Sequence, residues 1–200
     1  MKDELVRLYE DALSVYGEDD YRTMRWSSGE STAGWYDQMR KYADFARMEV
    51  FEVGCGFGSF IRLGYPYKRY VGIDIVPAFI EIAKERCKRL HDAEFWCGDW
   101  MEQELDLRSD LLIMSGPTAD RVADLWHPTT IEKIFRKALI EARLVMVNFP
   151  SVWATCRDEM DEYYSPTMVL DIAMNVTTKV VLDHTLKKSG FLVVLERDDG

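Results

Sequence analysis

The stretch Val50-Phe51-Glu52-Val53-Gly54-Cys55-Gly56-Phe57-Gly58-Ser59-Phe60 decides the fold. Apolar residues around one acid read as a short buried strand, and glycines at alternate positions follow at once. Glycine turns a chain through left-handed conformations and leaves no Cβ between backbone and ligand. Downstream, Tyr70-Val71-Gly72-Ile73-Asp74-Ile75 reads as a second strand that ends in a lone acid. Strand, glycine turn, helix, strand and acid together make the nucleoside-binding half of a doubly wound sheet. Gly54 and Gly56 then let the backbone approach a ligand. Asp74 falls at the carboxyl end of the second strand, where a carboxylate can accept hydrogen bonds from a ribose diol.

Spacing narrows the nucleoside. A dinucleotide fingerprint, G-x-G-x-x-G, places its third glycine at position 59, which is Ser59 here. That opposes an NAD-dependent oxidoreductase. The third glycine is Gly58, and Glu52 stands two residues before the first. The resulting E-x-G-x-G-x-G resembles the first motif of class I S-adenosylmethionine (SAM) methyltransferases. A further acid, in Gly98-Asp99-Trp100, follows a third expected strand and completes a three-part match.

Around this centre the chain alternates. Leu5, Leu8, Tyr9, Ala12, Leu13 and Tyr16 repeat with helical period over 3–16, and Gly17 ends that helix. Residues 21–31, rich in hydroxyls and aromatics, read as a loop, and a second helix is expected over 31–46. Strands are expected at 49–53, 70–75, 94–97, 111–114 and 144–148. The intervening helices include one opened by Pro77 and one over 131–142. Ser165 and Pro166 open a further helix over 166–174. Two β-rich runs, 178–182 and 191–195, joined by Lys187-Lys188-Ser189-Gly190, then signal a hairpin. The expected fold is a doubly wound α/β domain: a mostly parallel seven-stranded sheet with a C-terminal antiparallel hairpin. Residues 1–200 read as one domain, with an N-terminal helical cap and lid segment over 1–47 and a Rossmann-like core over 48–200.

Composition bounds the function. Two hundred residues with 48% hydrophobic content suffice for one full core. No apolar run approaches the length of a membrane span, and the charged first residues, Met1-Lys2-Asp3-Glu4, do not read as a signal peptide. Cys55, Cys87, Cys97 and Cys156 are scattered, which fits reduced thiols in the cytoplasm and offers no zinc site. The formal charge of −10 argues against a nucleic-acid acceptor, because proteins that grip a phosphate backbone present a basic face.

Further segments make the resemblance more specific. Trp26-Ser27-Ser28-Gly29-Glu30-Ser31, Ser115-Gly116, Asn148-Phe149-Pro150-Ser151, Tyr163-Tyr164-Ser165-Pro166 and Val181-Leu182-Asp183-His184 are similar to small generic bacterial and phage methyltransferases of undefined substrate. The likeness extends from about residue 20 to the C-terminus. It implies SAM as cofactor and S-adenosylhomocysteine as product, with a role for each matching position. Glu52 orients the turn, and Gly54 and Gly56 pass beneath the methionine part of SAM. Cys55 packs beneath the ligand. Asp74 holds the ribose hydroxyls, and Asp99 accepts from the adenine amino group with Trp100 or Ile75 against the ring. Ser115 and Gly116 lie beside the transferable methyl. One departure counts against amino methylation of DNA bases: Ser115-Gly116-Pro117 stands where such enzymes carry Asp/Asn-Pro-Pro-aromatic.

Since the sulfonium is already an activated leaving group, transfer needs chiefly an acceptor held in line, and a base is optional. His127, before Pro128, is the weak candidate for one, against a capping or loop role. Trp26, Trp35 and Tyr36 could close over SAM or could pack the N-terminal helices onto the sheet. Ser28 and Ser31 could hold the methionine carboxylate, and Ser31 could equally cap a helix. The leading expectation is methyl transfer to a small molecule. A protein or RNA acceptor and a non-catalytic SAM-binding regulatory subunit stand as alternatives.

Overall fold

Parallel strands covered on both faces need apolar side chains at nearly every position, and the central runs of this chain supply them. The computed structural model describes residues 2–25, 29–119 and 127–198, with the backbone alone for 29–31. Its strands are β1 (Glu49–Val53), β2 (Arg69–Asp74), β3 (Ala93–Cys97), β4 (Ser109–Met114), β5 (Ala142–Pro150), β6 (Lys179–Lys187) and β7 (Gly190–Glu196). They form a seven-stranded sheet of order β3-β2-β1-β4-β5-β7-β6. The α/β sheet with its terminal antiparallel hairpin is the one expected from the alternation. The chain divides into two compact units, Met1–Glu104 and Leu105–Gly200.

In the first unit β1 pairs in parallel with β2, and β2 with β3. Helices α1 (Lys2–Tyr16), α2 (Gly29–Met39), α3 (Ser59–Arg62) and α4 (Pro77–Cys87) accompany them. The core is aromatic: Tyr36, Phe45, Phe60, Tyr65 and Tyr70 pack ring against ring beside β1 and β2. A second cluster, Phe57, Val76 and Phe79, takes Tyr9 and Leu13 of α1 together with Met24 and Ile75. Gly72 in mid-strand has a packing reason. A Cβ there would come within 2.8 Å of Cys55 Sγ and 2.9 Å of the Tyr70 hydroxyl.

Two local expectations are corrected in this unit. The second helix stops at Met39, not 46, because Lys41 and Tyr42 donate to carbonyls three residues back and tighten the last turn. The chain then bends so that Phe45 is buried in the aromatic core. Part of the expected loop, Tyr21–Met24, is instead a 3₁₀ turn whose cap, Asp20, accepts from the Arg22 N–H.

In the second unit β4 pairs in parallel with β5, and β7 is antiparallel to both β5 and β6. The buried runs 111–114 and 144–149 form its centre, with Phe135, Val169 and residues 191–195 packed as core. Helix α5 (Pro128–Glu141) joins β4 to β5 in sequence, and α6 (Pro166–Met174) is capped by Ser165. The hairpin strands run longer than expected, leaving a two-residue connection, 188–189. A register shift between Asp183 and Lys187 absorbs the extra length, and Asp183 turns its carboxylate onto Thr185.

Candidate cofactor and active site

The glycine turn is built by backbone geometry and one carboxylate. Gly54, Gly56 and Gly58 have φ of 73°, 53° and 77°, in the left-handed region that favours glycine. The N–H groups of Gly54 and Cys55 donate to the Ile73 carbonyl at 2.8 and 3.2 Å, which hangs the start of the turn on β2. Asp74, the last residue of β2, braces the rest. Its Oδ2 accepts from the Gly56 N–H and its Oδ1 from the Val76 N–H, each at 2.9 Å. A single buried carboxylate therefore fixes both the turn and the entry to α4.

Glu52 is held inside the first unit by two phenols. It is fully buried, and its oxygens accept from the Tyr36 and Tyr70 hydroxyls, both at 2.5 Å. The acid thus ties α2 and β2 to β1. Burial pushes its carboxyl up to about 7, against the lowering effect of the two phenol bonds and with a further push from Asp74. Tyr36 and Tyr70 are held well above the usual phenol range by burial and by the Glu52 charge. Cys55 is buried beside Gly72, and burial raises its thiol, so it packs as a small neutral side chain.

At the next strand end, Asp99 caps a 3₁₀ turn, Trp100–Glu102, by accepting from the Met101 N–H at 2.8 Å. Its other oxygen meets Lys2 Nζ of α1 at 2.5 Å, and Lys2 also pairs with Glu102. Both bonds raise the lysine above its usual range. Trp100 is buried, while Ile75 is half-buried on the Phe57–Val76–Phe79 cluster. Met24 lies directly on the glycine turn: a Cβ on Gly56 would stand 2.1 Å from its terminal methyl.

The second unit carries its own cluster of polar groups. Ser115 follows β4 and is buried, with its hydroxyl lacking a hydrogen-bond partner. Gly116, at φ 107°, turns the chain and donates its N–H to Asn148 Oδ1 at 3.0 Å. Thr118 Oγ1 donates to the Asn148 carbonyl at 2.7 Å. His127 is an exposed helix cap whose Nδ1 accepts from the Thr129 N–H. Among the described residues no group of three or more His, Cys, Asp or Glu is disposed to hold a metal ion. No described helix is long and apolar enough to cross a membrane.

Comparison with known proteins gives this geometry a context. Residues 50–138 match a family described as "Methyltransferase domain". A solved complex of DhpI with S-adenosylhomocysteine superposes with a TM-score of 0.71 at 15% identity, over 99% of this chain and 98% of that one. Magnesium protoporphyrin IX methyltransferase from Synechocystis PCC 6803 with bound SAM gives 0.65 at 14% identity, over 96% and 97%. The fold is that of class I methyltransferases. Malonyl-[acyl-carrier protein] O-methyltransferase of Acetivibrio thermocellus is 38% identical over 71 residues, 34% of the chain. The chain spans about a quarter of that relative's length, 25%.

The first unit brings Glu52, Gly54, Cys55, Gly56, Asp74 and Ile75 together around one turn, and Asp99 and Trp100 follow β3 in the same unit. Ser115 and Gly116 belong to the second unit. Trp26 and Ser28 lie outside the described residues, as does the side chain of Ser31. Trp35 and Tyr36 are buried, which favours packing for both. Sequence reasoning did not assign Tyr36 and Tyr70 to Glu52, Lys2 to Asp99, Met24 to the turn, or Asn148 to Gly116. An acid inside an apolar strand was a usable signal for the first, since a buried charge needs hydrogen-bond donors. The others join residues far apart in sequence and leave no motif.

Proposed function

We propose that this domain transfers the methyl group of SAM to a small-molecule acceptor and releases S-adenosylhomocysteine. The observation that carries the reading is the glycine turn braced by Asp74. The residues present fit the cofactor. Left-handed glycines expose backbone in place of side chains, and a carboxylate oxygen has lone pairs for a ribose hydroxyl beside its backbone bonds. Asp74 holds the ribose, the turn at Gly54 and Gly56 underlies the methionine part, and Ile75 lies against the adenine. Asp99 takes the adenine amino group by sharing or giving up its bond to Lys2. Ser115 and Gly116 face the methyl, and Trp26, Ser28 and Ser31 close over the methionine end. The bound cofactor supplies an electrophilic methyl on a sulfonium. Glu52 acts at one remove, by holding Tyr36 and Tyr70 against the strand that feeds the turn.

The small-molecule assignment is supported by the formal charge of −10, which disfavours a polyanion, and by fold neighbours named for small acceptors, such as the porphyrin enzyme. Titration calorimetry tests the cofactor assignment. S-adenosylhomocysteine should bind in the micromolar range and NAD should not bind comparably. Tighter NAD binding would overturn the reading.

A further inference from the structure

Asn148 and Ser115 lie one residue beyond the last registered pair of β4 and β5, Met114 with Val147. Ligands of open α/β sheets bind at the carboxyl ends of such strands. Both side chains are at least nine-tenths buried, yet neither spends all its hydrogen-bonding capacity on the protein. The Ser115 hydroxyl is shut off from solvent without a partner, an arrangement that is costly unless something supplies one. Asn148 is clamped by the loop after β4. Its side-chain oxygen accepts from the Gly116 N–H and its backbone oxygen from Thr118. Because an N–H faces Oδ1, the amide cannot be flipped, and Nδ2 is turned the other way. That nitrogen makes no hydrogen bond among the described residues. The clamp is itself braced, since the Ala119 carbonyl accepts from the Glu162 N–H at 2.7 Å and Tyr164 donates to the Pro150 carbonyl.

We propose that Asn148 and Ser115 form the acceptor-positioning site, and that the acceptor they take presents an anionic oxygen, a carboxylate or a phenolate. This rests on the methyltransferase reading and adds the acceptor's chemistry to it. Asn148 offers its Nδ2 as a donor, while its oxygen is engaged by the Gly116 N–H, and Ser115 can donate as well. An oxyanion can accept from both and still direct a lone pair at the methyl. An amine fits less well, because its single lone pair must attack the methyl and so cannot accept from Asn148 or Ser115. Neither Asn148 nor Ser115 takes up a proton at neutral pH, and an oxyanion has none to give. In the transfer, the acceptor oxygen forms the new C–O bond as the C–S bond breaks with its pair returning to sulfur. Negative oxygen and positive sulfonium become a neutral ester or ether and a neutral thioether.

Nuclear magnetic resonance of the full chain loaded with S-adenosylhomocysteine tests the site without requiring turnover. The Asn148 side-chain amide signals, identified by their loss in Asn148→Asp, should shift on titration with phenylacetate or para-nitrophenolate and stay fixed with phenethylammonium. Which of the two oxyanions moves them distinguishes carboxylate from phenolate. Asn148→Asp keeps an oxygen for the Gly116 N–H, whose resonance reports that the clamp is intact, and replaces the donor by an anion. It should weaken oxyanion binding about tenfold or more while leaving S-adenosylhomocysteine affinity unchanged. Ser115→Ala should weaken it in the same direction. Signals unmoved by both oxyanions, signals moved by the ammonium probe instead, or an aspartate variant that binds oxyanions as well as the native protein would each overturn the proposal. Loss of S-adenosylhomocysteine binding by the native protein would instead overturn the methyltransferase reading. The probe titrations, repeated without that ligand, would still judge the site.

Discussion

Replacing Glu52 by glutamine should remove a fall in stability that the native protein suffers as pH rises. The carboxyl is fully buried, and burial lifts it from an ordinary 4.5 to about 7 although two phenols donate to it. The folded chain therefore holds this proton more tightly than the unfolded chain does. Stability from it is complete below 4.5 and is lost as pH rises through about 7. The interval from 4.5 to about 7 corresponds to about 3 kcal/mol. Glutamine has nearly the same shape, can accept from one tyrosine and can donate to the oxygen of the other, but does not titrate. Urea unfolding of both proteins at several pH values between about 5 and 8 gives the difference in unfolding free energy directly, with other titrating groups cancelling. The variant should gain on the native protein by about 2.5 kcal/mol across that range. A difference that stays constant within about 0.5 kcal/mol would refute the reasoning, because Glu52 would then ionise as readily folded as unfolded.

Asp74→Ala should weaken S-adenosylhomocysteine binding by about 1.5–3 kcal/mol in calorimetry, from lost charge-assisted hydrogen bonds; unchanged affinity in a folded variant would make Asp74 a brace for the turn and nothing more. Gly72→Ala should destabilise the protein by about 1–3 kcal/mol in thermal or urea unfolding, since its Cβ would meet Cys55 and Tyr70 at under 3.0 Å in a packed core. Lys2→Ala removes a partly exposed ion pair and should change stability by less than about 1 kcal/mol. If Lys2 competes with adenine for Asp99, calorimetry should nevertheless show this variant binding S-adenosylhomocysteine more tightly. Hydrogen exchange over 22–32 should slow when S-adenosylhomocysteine is added. Equal exchange in both states, alongside protection at 54–58, would mean that another element covers the cofactor.

Much of the fold is legible because its signals are local. Residues 111–114 and 144–147 are unbroken apolar runs, which a parallel strand buried on both faces requires, and Pro77, Pro128 and Pro166 each open a helix where the ring costs no hydrogen bond. What the sequence misplaced depended on distant packing. Residues 40–46 carry no helix breaker, yet α2 ends at Met39 because Phe45 has a place among Phe60 and Tyr65. The hairpin length likewise depended on a bulge at 183–187 that alternation alone cannot locate.

The candidate site divides along the same line. Gly54, Gly56 and Asp74 are legible because a left-handed turn beside a strand-end carboxylate restricts residue type at each position. Glu52 is legible as an exception, but its purpose is not, since the phenols that make its burial tolerable come from positions 36 and 70. Met24 shows the limit most sharply. A methionine in a polar segment reads as filler, and only the fold reveals it lying on Gly56, where a β-carbon would collide with it. Gly56 thus satisfies two requirements at once, a φ of 53° and room for a neighbouring side chain. An alanine there could relieve the second by moving the flexible methionine, but not the first. Comparing the effect of Gly56→Ala in the native chain with its effect in a Met24→Ala background separates the two: a loss that persists in that background belongs to the backbone, and one that vanishes belongs to the contact.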